Sequence, residues 1–145
     1  MIQFTIERFS RLPRDTLFSL STNIQNFDKI LPNYFKSLKV IDQNGDQSVV
    51  VEEIRFMKVS LKLKTKHVVI MPDIHEIHIL SGPAKGTTFT EKYVSLNSGT
   101  LVSIDVKLVL HGIFRFLLFF KPYIKNKMHF VADQFIMSAE KSVTN

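Results

Sequence analysis

The C-terminal stretch from residue 112 to residue 142 constrains the fold more than any other part of the chain. Its apolar residues recur at the i, i+3, i+4, i+7 spacing that places them on one face of an amphipathic helix. That face consists of Ile113, Leu117, Phe120, Ile124, Met128, Val131, Phe135 and Ala139. The spacing predicts a single helix on the order of 45 Å long. A face of this length needs a large apolar surface to pack against.

A second apolar strip runs beside the first on the same predicted helix. It consists of Phe116, Phe119, Tyr123, Phe130 and Met137. The combined apolar arc is wider than packing on one sheet requires, so part of it must cover other helices, a ligand or a partner. We expect these side chains either to fill a cavity or to line it. Pro122 lacks a backbone donor and is expected to kink the helix after the Phe cluster.

The residues before this stretch predict a strand, two short helices and six further strands. Ile2, Phe4 and Ile6 alternate with polar residues, which is typical of a half-buried strand. Pro13 opens the first short helix, and Pro32 ends the second. Strand signals separated by turn residues then cover 38–41, 49–56, 59–70, 74–80, 87–96 and 101–110.

Short connections between these strands force neighbouring strands to be antiparallel. An antiparallel sheet with one apolar face needs a cover, and the terminal helix is the one predicted element long enough to provide it. The sequence therefore predicts an α+β fold in which a seven-stranded, curved antiparallel sheet wraps around a long C-terminal helix.

Length and composition narrow the class of protein. A chain of 145 residues predicts a single domain over residues 1–145. The absence of cysteine excludes disulfides, thiol catalysis and Cys-ligated metal centres. We find no signal region and no apolar run near the roughly 20 residues of a spanning helix, so we expect a cytoplasmic protein. The net charge of +6 is compatible with an anionic partner.

Three segments carry a resemblance to a known family. They are residues 27–32 (FDKILP), the turn 82–86 (GPAKG) and the hairpin 87–110 that runs into the long helix. In these three segments the chain resembles the SRPBCC superfamily of helix-grip proteins, which includes START lipid-transfer domains and the birch-pollen-allergen fold. Within it the chain looks most like the polyketide cyclase/dehydratase and coenzyme Q-binding group, which also contains bacterial ribosome-association toxins. The resemblance implies a cavity between sheet and helix that binds lipids, isoprenoids or polyketides.

Polar residues on inward-facing strand positions are the candidate site. His67 and Thr65 lie beside Leu63, and Glu91 and Tyr93 lie beside Phe89. An apolar pocket with a few polar groups is the usual design of a ligand site; alternatively, these groups are solvated at strand ends or satisfy one another. The predicted ligand-binding residues are Phe27, Leu63, Thr65, His67, Phe89, Glu91, Tyr93, Phe116, Phe120, Tyr123, Ile124 and Met128. His67, Glu91 and Tyr93 are also the candidate acid/base residues.

Other titratable residues admit plainer explanations. Glu76 and His78 share a strand face and could act as an acid/base pair or form an ion pair at the rim. His75 and His78 are expected on opposite faces, and no metal-binding spacing occurs, so we predict no metal and no cofactor. Asp105 is expected in solvent, paired with Lys107 or a lysine on a neighbouring strand.

Two groups of cations could contact an anionic partner. Lys58, Lys62, Lys64 and Lys66 are predicted on one strand face, where they either protect the exposed sheet or contact RNA or a ribosome. Aromatic residues that would stack on bases do not interleave with them, which disfavours nucleic acid. The second group lies on the terminal helix, beside aromatic residues: Arg115, Lys121, Lys125, Lys127 and His129. These cations either contact a membrane interface or form the polar side of a helix that packs on the core.

The leading hypothesis is a protein that binds or transports a hydrophobic or amphipathic small molecule without catalysis, with peripheral membrane contact as an additional partner. The molecule would be a lipid, an isoprenoid quinone or a polyketide-like compound held between sheet and helix. One alternative is a cyclase or dehydratase acting in the same cavity. A second is an interaction module for RNA, a ribosome or a protein that uses the basic strand face. The sequence leaves the oligomeric state open.

Overall fold

A computed structural model describes residues 1–56 and 58–144 of the protein. Alternating apolar and polar residues form strands that assemble into a seven-stranded antiparallel sheet. The strands are β1 (Ile2–Ser10), β2 (Phe35–Asn44), β3 (Gln47–Phe56), β4 (Val59–Ile70), β5 (Ile74–Ile79), β6 (Thr88–Leu96) and β7 (Gly99–Leu108). Their order across the sheet is β1-β7-β6-β5-β4-β3-β2, and every neighbouring pair is antiparallel. The first two strands are therefore its edges.

Helices cross the gap between the two edge strands and cover the apolar face of the sheet. Helix α1 (Arg14–Thr22) and α2 (Phe27–Ile30), with the 3-10 turn Ile24–Asn26 between them, connect β1 to β2. Helix α3 (Lys121–Thr144) packs against β1 at the C-terminus of the chain. The predicted α+β arrangement, with two short helices after the first strand and a long terminal helix, is confirmed.

The terminal helix begins later than predicted. The segment Gly112–Phe120 is a 3-10 helix, and the α-helix starts at Lys121. Pro122 gives the reason: inside a continuous α-helix its ring would clash with the carbonyl of Leu118, and its nitrogen could not donate. In the first turn neither problem arises, because backbone donors there have no partner within the helix. Pro122 therefore starts α3 rather than kinking it.

The 3-10 conformation changes which side chains share a face. With three residues per turn, side chains at i and i+3 eclipse one another. Ile113, Phe116 and Phe119 form one outward edge and are 80%, 53% and 88% exposed. Phe114 and Leu117 form a second edge that turns inward. The period of 3.6 residues that predicted Ile113 on the inner face is wrong for this segment. Phe120, also predicted on the inner face, is the last residue of the segment and is 53% exposed.

The core consists of three apolar clusters between the sheet and the helices. One joins α1, the middle of the sheet and the end of α3; a second joins β1, β7 and α3; the third lies under α2 and β2. Leu17 of α1 is fully buried in the first cluster, against Tyr93 and Val102 among others. These clusters hold the walls of the interior in place.

Shortening Leu17 should show how much the first cluster contributes to stability. We expect Leu17→Ala to lower the free energy of unfolding by about 2–5 kcal/mol, because it removes buried methyl groups and leaves a void. Urea unfolding followed by far-UV circular dichroism measures the loss. The matched control is Leu96→Ala, the same change at a side chain that is 46% exposed, which should cost less than about 1 kcal/mol. Equal losses for the two variants would contradict this placement of the core.

Candidate functional site

A cavity of about 380 Å³ lies between the inner face of the sheet and the helices. Its volume falls within the range of roughly 300–1,000 Å³ that is common for small-molecule sites. Every strand of the sheet contributes at least one residue to its wall, and α3 and the 3-10 segment close it. Hydrocarbon side chains form most of the wall, among them Ile54, Leu61, Leu63, Ile77, Ile79, Phe89, Ile104, Val106, Leu117, Ile124, Met128, Val131 and Phe135.

Most of the residues predicted to bind a ligand lie along this cavity. The structure places these predicted residues in its wall: Phe27, Leu63, Thr65, His67, Phe89, Glu91, Tyr93, Ile124 and Met128. The strand positions among them alternate along β4 and β6, so their side chains share the inner face as the period of two requires. Whether they contact a ligand stays a prediction.

Three predicted residues lie outside the cavity. Phe116, Phe120 and Tyr123 are 53%, 53% and 49% exposed and do not contribute to the wall. Phe116 belongs to the outward edge of the 3-10 segment, and Phe120 stands where that segment joins α3. Tyr123 starts an outer stripe on α3 that continues with Phe130 at a spacing of seven residues. The expectation that these aromatic side chains fill or line the cavity is therefore corrected.

A chain of hydrogen bonds runs through the buried polar side chains beside the cavity. Thr65 Oγ1 lies 3.1 Å from His67 Nε2, and His67 Nδ1 lies 3.0 Å from His75 Nε2. His75 Nδ1 is 3.1 Å from Glu91 Oε1, which also accepts a 2.8 Å bond from the Tyr93 hydroxyl. The polar atoms of these side chains are hydrogen-bonded to one another. This is one of the alternatives to ligand binding that the sequence left open.

Strand register brings these groups together. Thr65 and His67 are two residues apart on β4, and Glu91 and Tyr93 are two apart on β6, so each pair shares the inner face. On β5 between them, His75 pairs directly with Glu91. The His67 and His75 rings stack with centroids 5.2 Å apart. Three adjacent strands thus each contribute part of the chain.

One assignment of protons satisfies every hydrogen bond of this chain. A carboxylate at Glu91 accepts from Tyr93 and from His75 Nδ1, which leaves His75 Nε2 as an acceptor. His67 Nδ1 then donates to His75, and His67 Nε2 accepts from the Thr65 hydroxyl. Every bond has one donor and one acceptor when both imidazoles are neutral, so the chain needs no extra proton.

Burial reinforces this arrangement. The pKa of His67 is lowered to about 3, mainly because burial penalises the imidazolium and, to a lesser extent, because His75 and His78 repel it. Burial also raises the pKa of the Tyr93 phenol well above its usual range, with the charge of Glu91 adding to the effect. His67 therefore stays neutral, and Tyr93 stays protonated, at neutral pH.

Glu52 is a buried carboxyl residue of the wall that stands outside this chain of hydrogen bonds. It is 6% exposed, it lines the cavity, and its Oε2 has no hydrogen-bond partner among the described residues. The closest basic group is His67 Nε2, 4.0 Å away. Burial raises the pKa of Glu52 to about 7, and the nearby Thr65 hydroxyl acts in the opposite direction to a smaller extent.

Sequence reasoning missed both Glu52 and His75. On β5 the face that holds His75 also holds Ile77 and Ile79, whereas the other face holds Glu76 and His78. The more apolar face is the buried one, so this signal was present for His75. On β3 no such signal exists, because over residues 49–54 each face carries two apolar residues and one glutamate. Glu52 could be assigned to the interior only from the structure.

Two other titratable sites lie outside the cavity wall. His78 Nε2 and Glu76 Oε1 are 3.1 Å apart, and both side chains are about one-third exposed. They form a partly solvated pair on the outer face of β5. Asp105 is exposed, as expected, but it accepts a 2.6 Å bond from the Thr5 hydroxyl instead of pairing with a lysine.

The lysine row lies on the outer face of β4, with one exception. Lys62, Lys64 and Lys66 point away from the cavity, and Lys62 stands opposite Glu53 on β3. Lys58 lies in the turn before β4 with φ of 66°, so it does not continue the row. Glu53 also lies 3.9 Å from Lys36. Contact of this mixed-charge face with RNA or a ribosome stays a prediction.

Neither a metal cluster nor a membrane-spanning helix occurs in the part of the chain that the structure describes. Over residues 1–56 and 58–144, no three His, Asp or Glu side chains are grouped so that they could hold a metal ion. Within the same residues, no helix combines the length and the apolar character that crossing a bilayer requires.

Comparison with known proteins identifies the fold. No family model and no curated protein sequence matches this chain. Among solved structures, TTHA0849 from Thermus thermophilus superposes with a TM-score of 0.81 at 16% identity, over 99% of this chain and 97% of that one. The Zhui aromatase/cyclase from Streptomyces sp. R1128 gives 0.80 at 8% identity, over 98% and 95%. Norcoclaurine synthase from Thalictrum flavum gives 0.70 at 12% identity, over 97% and 87%. The chain therefore has the helix-grip fold that its sequence resembles.

The raised pKa of Glu52 should make stability depend on pH in a defined direction. Between about pH 4.5 and 7 the native protein keeps a proton on Glu52 that the unfolded chain releases, so this contribution to stability is lost as pH rises. Glu52→Gln removes the titration. We expect the stability of the variant relative to the original protein to increase by about 3 kcal/mol from pH 4.5 to pH 7.5.

Urea unfolding of both proteins across this pH range measures the difference. His67 has a lowered pKa, so its contribution is present above about pH 6.5 and is lost as pH falls toward 3. That effect occurs in both proteins and cancels in the difference. The matched control is Glu53→Gln, the same change at the adjacent residue on the solvent side of β3. A difference that stays flat for Glu52→Gln would contradict the burial of this carboxyl.

Proposed function

We propose that this protein binds a hydrophobic or amphipathic small molecule, of the size and kind of a lipid tail, an isoprenoid quinone or a polyketide-like compound, in the cavity under α3. The observation that supports this most is the cavity itself, about 380 Å³ with a largely hydrocarbon wall. An interior filled by phenylalanine side chains would have argued against it. Instead, several of the phenylalanines lie on the outer surface.

The structural neighbours support the same kind of ligand. Norcoclaurine synthase was crystallised in complex with dopamine and hydroxybenzaldehyde, and Zhui is an aromatase/cyclase. Both proteins share the fold at low sequence identity. The fold therefore accommodates aromatic and polyketide-derived molecules elsewhere, and we extend that to this chain as a proposal.

Of the three candidate acid/base residues, His67 and Tyr93 fit binding without catalysis better than they fit the cyclase or dehydratase alternative. A general acid or base works best when its pKa lies near the working pH. His67, with its pKa lowered to about 3, is a weak base, and Tyr93, with its pKa raised, is a weak acid. Their polar atoms are also engaged with Thr65, His75 and Glu91. The chain is built to hold the wall rigid rather than to exchange protons with a substrate.

A bulky side chain introduced into the cavity should block binding. Val131 lies in the wall on α3, and Val131→Trp would fill the space next to it. We expect this variant to bind the neutral fluorescent probe N-phenyl-1-naphthylamine at least tenfold more weakly than the original protein. Fluorescence titration measures the affinity, and native mass spectrometry of the purified protein shows whether a bound molecule is lost.

Met137→Trp is the matched control for this experiment. Met137 lies on the same helix but is 61% exposed and faces outward, so the substitution should leave probe binding unchanged. Circular dichroism checks that both variants keep the native helix content. Unchanged binding by Val131→Trp, or equal losses for the two variants, would overturn the proposal that the cavity is the binding site.

We also propose that the outward edge of the 3-10 segment contacts an anionic membrane surface. Ile113, Phe116 and Phe119 are exposed along this edge, and the outer stripe of α3 adds Tyr123 and Phe130. Charge complementarity supports this choice of partner: residues 106–132 contain five lysines and arginines and no aspartate or glutamate. Exposed aromatic residues among cations suit the headgroup region of a bilayer that carries anionic lipid.

Removing one aromatic side chain from this edge should weaken membrane binding. We expect Phe119→Ser to reduce binding to vesicles of mixed phosphatidylcholine and phosphatidylglycerol by about tenfold, because a buried Phe contributes on the order of 2 kcal/mol. Vesicle co-sedimentation measures the bound fraction. Phe9→Ser, a change of the same kind at a side chain 48% exposed on β1, is the control and should bind as the original protein does.

Two results would contradict membrane contact at this edge. The first is binding that is equal on vesicles with and without phosphatidylglycerol, or absent from both. The second is concentration-dependent dimerisation that Phe119→Ser abolishes, since a second copy would then cover the aromatic edge. Analytical ultracentrifugation in the absence of vesicles tests for the dimer.

A further inference from the structure

The unpartnered oxygen of Glu52 is the feature that the proposed ligand-binding function does not yet explain. Buried polar atoms in proteins almost always have a hydrogen-bond partner, and each exception calls for a reason. Glu52 Oε2 is buried, has no partner within the described part of the chain, and belongs to a residue of the cavity wall. A polar group of a ligand would supply the hydrogen-bond partner that Glu52 Oε2 lacks.

The nearest polar groups do not reach Glu52 Oε2, although the Thr65 hydroxyl is close enough to Glu52 to affect its pKa. His67 Nε2 already accepts the Thr65 hydroxyl at 3.1 Å, whereas Glu52 Oε2 is 4.0 Å away, beyond hydrogen-bond distance. The Phe27 ring lies on the other side of His67, with centroids 6.2 Å apart. Leu38 of β2 stands opposite Glu52 in the sheet. Phe27 and Leu38 are therefore among the apolar residues on this side of the cavity.

Charged groups do not favour ionisation of Glu52. His67 stays neutral, for the reasons given above. Among the cations of the wall, Arg8 is bonded to Asp133 and His129 on the β1 side of the cavity. Arg55 lies at the exposed end of β3, three residues along from Glu52 and on the opposite strand face. Within residues 1–56 and 58–144 no Lys or Arg pairs with Glu52, so below its pKa of about 7 the carboxyl is a neutral acid, whose O–H is a hydrogen-bond donor.

The chemistry of the donor limits the ligand. A ligand amine would require ionised Glu52 and a buried ion pair, and desolvation of two charges in an apolar wall is costly. A ligand carboxylate would place an anion against Glu52 with no neighbouring cation to stabilise it. A neutral acceptor such as a carbonyl oxygen carries neither cost. It also satisfies the buried donor, which an entirely apolar molecule would leave unpaired.

We propose that Glu52 is the specificity-determining residue of the cavity and that its carboxylic acid donates a hydrogen bond to a carbonyl oxygen on an otherwise apolar ligand. This inference rests on the proposed function, since it names the class of molecule that the cavity selects: ketones and quinone-like compounds over pure hydrocarbons. The preference requires protonated Glu52, so it weakens as pH rises.

A matched pair of probes tests the inference. Fluorene and 9-fluorenone have the same three-ring frame, and only the second carries a carbonyl oxygen. At pH 5.5 we expect the protein to bind 9-fluorenone about three- to tenfold more tightly than fluorene, the effect of one net hydrogen bond. At pH 8.5 the two affinities should converge. Displacement of N-phenyl-1-naphthylamine measures both.

Variants of Glu52 distinguish the effect of its hydrogen-bond donor from the effect of its side-chain shape. Glu52→Gln retains an N–H donor that does not titrate, so it should keep the preference at both pH values. Glu52→Leu has no donor and should bind both probes equally while retaining affinity for fluorene. Glu53→Gln, on the solvent face of the same strand, should behave as the original protein. If Glu52→Leu does not fold, the pH-independent preference of Glu52→Gln remains as the decisive result.

The outcomes distinguish this inference from the function on which it rests. Failure of both probes to bind would overturn the proposed function. Binding of fluorene and 9-fluorenone with equal affinity at pH 5.5 would overturn the role of Glu52 alone. Binding of the permanently charged benzyltrimethylammonium ion that tightens as pH rises from 5.5 to 8.5 would also overturn it, because the site would then take a cation on ionised Glu52.

Discussion

The curved sheet has one apolar face, and the rest of the structure depends on how that face is covered. Strands with alternating residues bury hydrocarbon on one side only, and seven of them produce more inner surface than a single helix can contact. Helix α3 packs against β1 and the neighbouring β7. Helix α1 packs on β6 and β7, and toward the other edge α2 and the 3-10 turn before it cover β2 and β3. The cavity is the space that these two covers leave between them.

An apolar cavity tends to collapse unless its wall is held apart. The chain of hydrogen-bonded polar side chains links the strands that form part of this wall. Thr65, His67, His75, Glu91 and Tyr93 join three central strands through side chains rather than through the backbone alone. Each of these groups would be costly to bury singly, but together they satisfy one another. The rings of Phe18 and Tyr93 meet edge to face with centroids 5.3 Å apart, which ties the chain to α1. The hydrogen bonds that satisfy these polar groups therefore also link the three strands beside the cavity.

The sequence allowed the strands to be predicted well because their signal is local. In β4 the alternation extends over the whole strand, and the predicted bounds match the observed Val59–Ile70. The start of the terminal helix was predicted less well, since apolar spacing does not reveal that Pro122 excludes an α-helix through residue 118. Where the terminal segment adopts a period of three, the faces assigned from a period of 3.6 are wrong.

The site was predictable only where strand faces differ in composition. On β4 and β6 the inner positions are mostly apolar, so His67 and Glu91 stood out as polar groups facing inward. On β3 the two faces are alike, and the inward orientation of Glu52 depends on pairing with β4, where Glu52 stands opposite Leu63. That pairing is a long-range property of the fold. A carboxyl whose environment is decided by register rather than by its own strand cannot be identified from local periodicity.

The 3-10 segment connects the outer surface to the cavity. Phe114 and Leu117 on its inner edge form part of the cavity wall, while Phe116 and Phe119 on its outer edge face solvent. Its start is fixed to the loop between β5 and β6, where the His111 amide donates to the Pro83 carbonyl at 2.8 Å, and Pro83 itself lines the cavity. Because side chains on both edges share one short backbone segment, a partner that displaces the outer edge also displaces the wall. A partner bound at the aromatic edge would therefore contact the same nine-residue segment, Gly112–Phe120, as a ligand bound in the cavity.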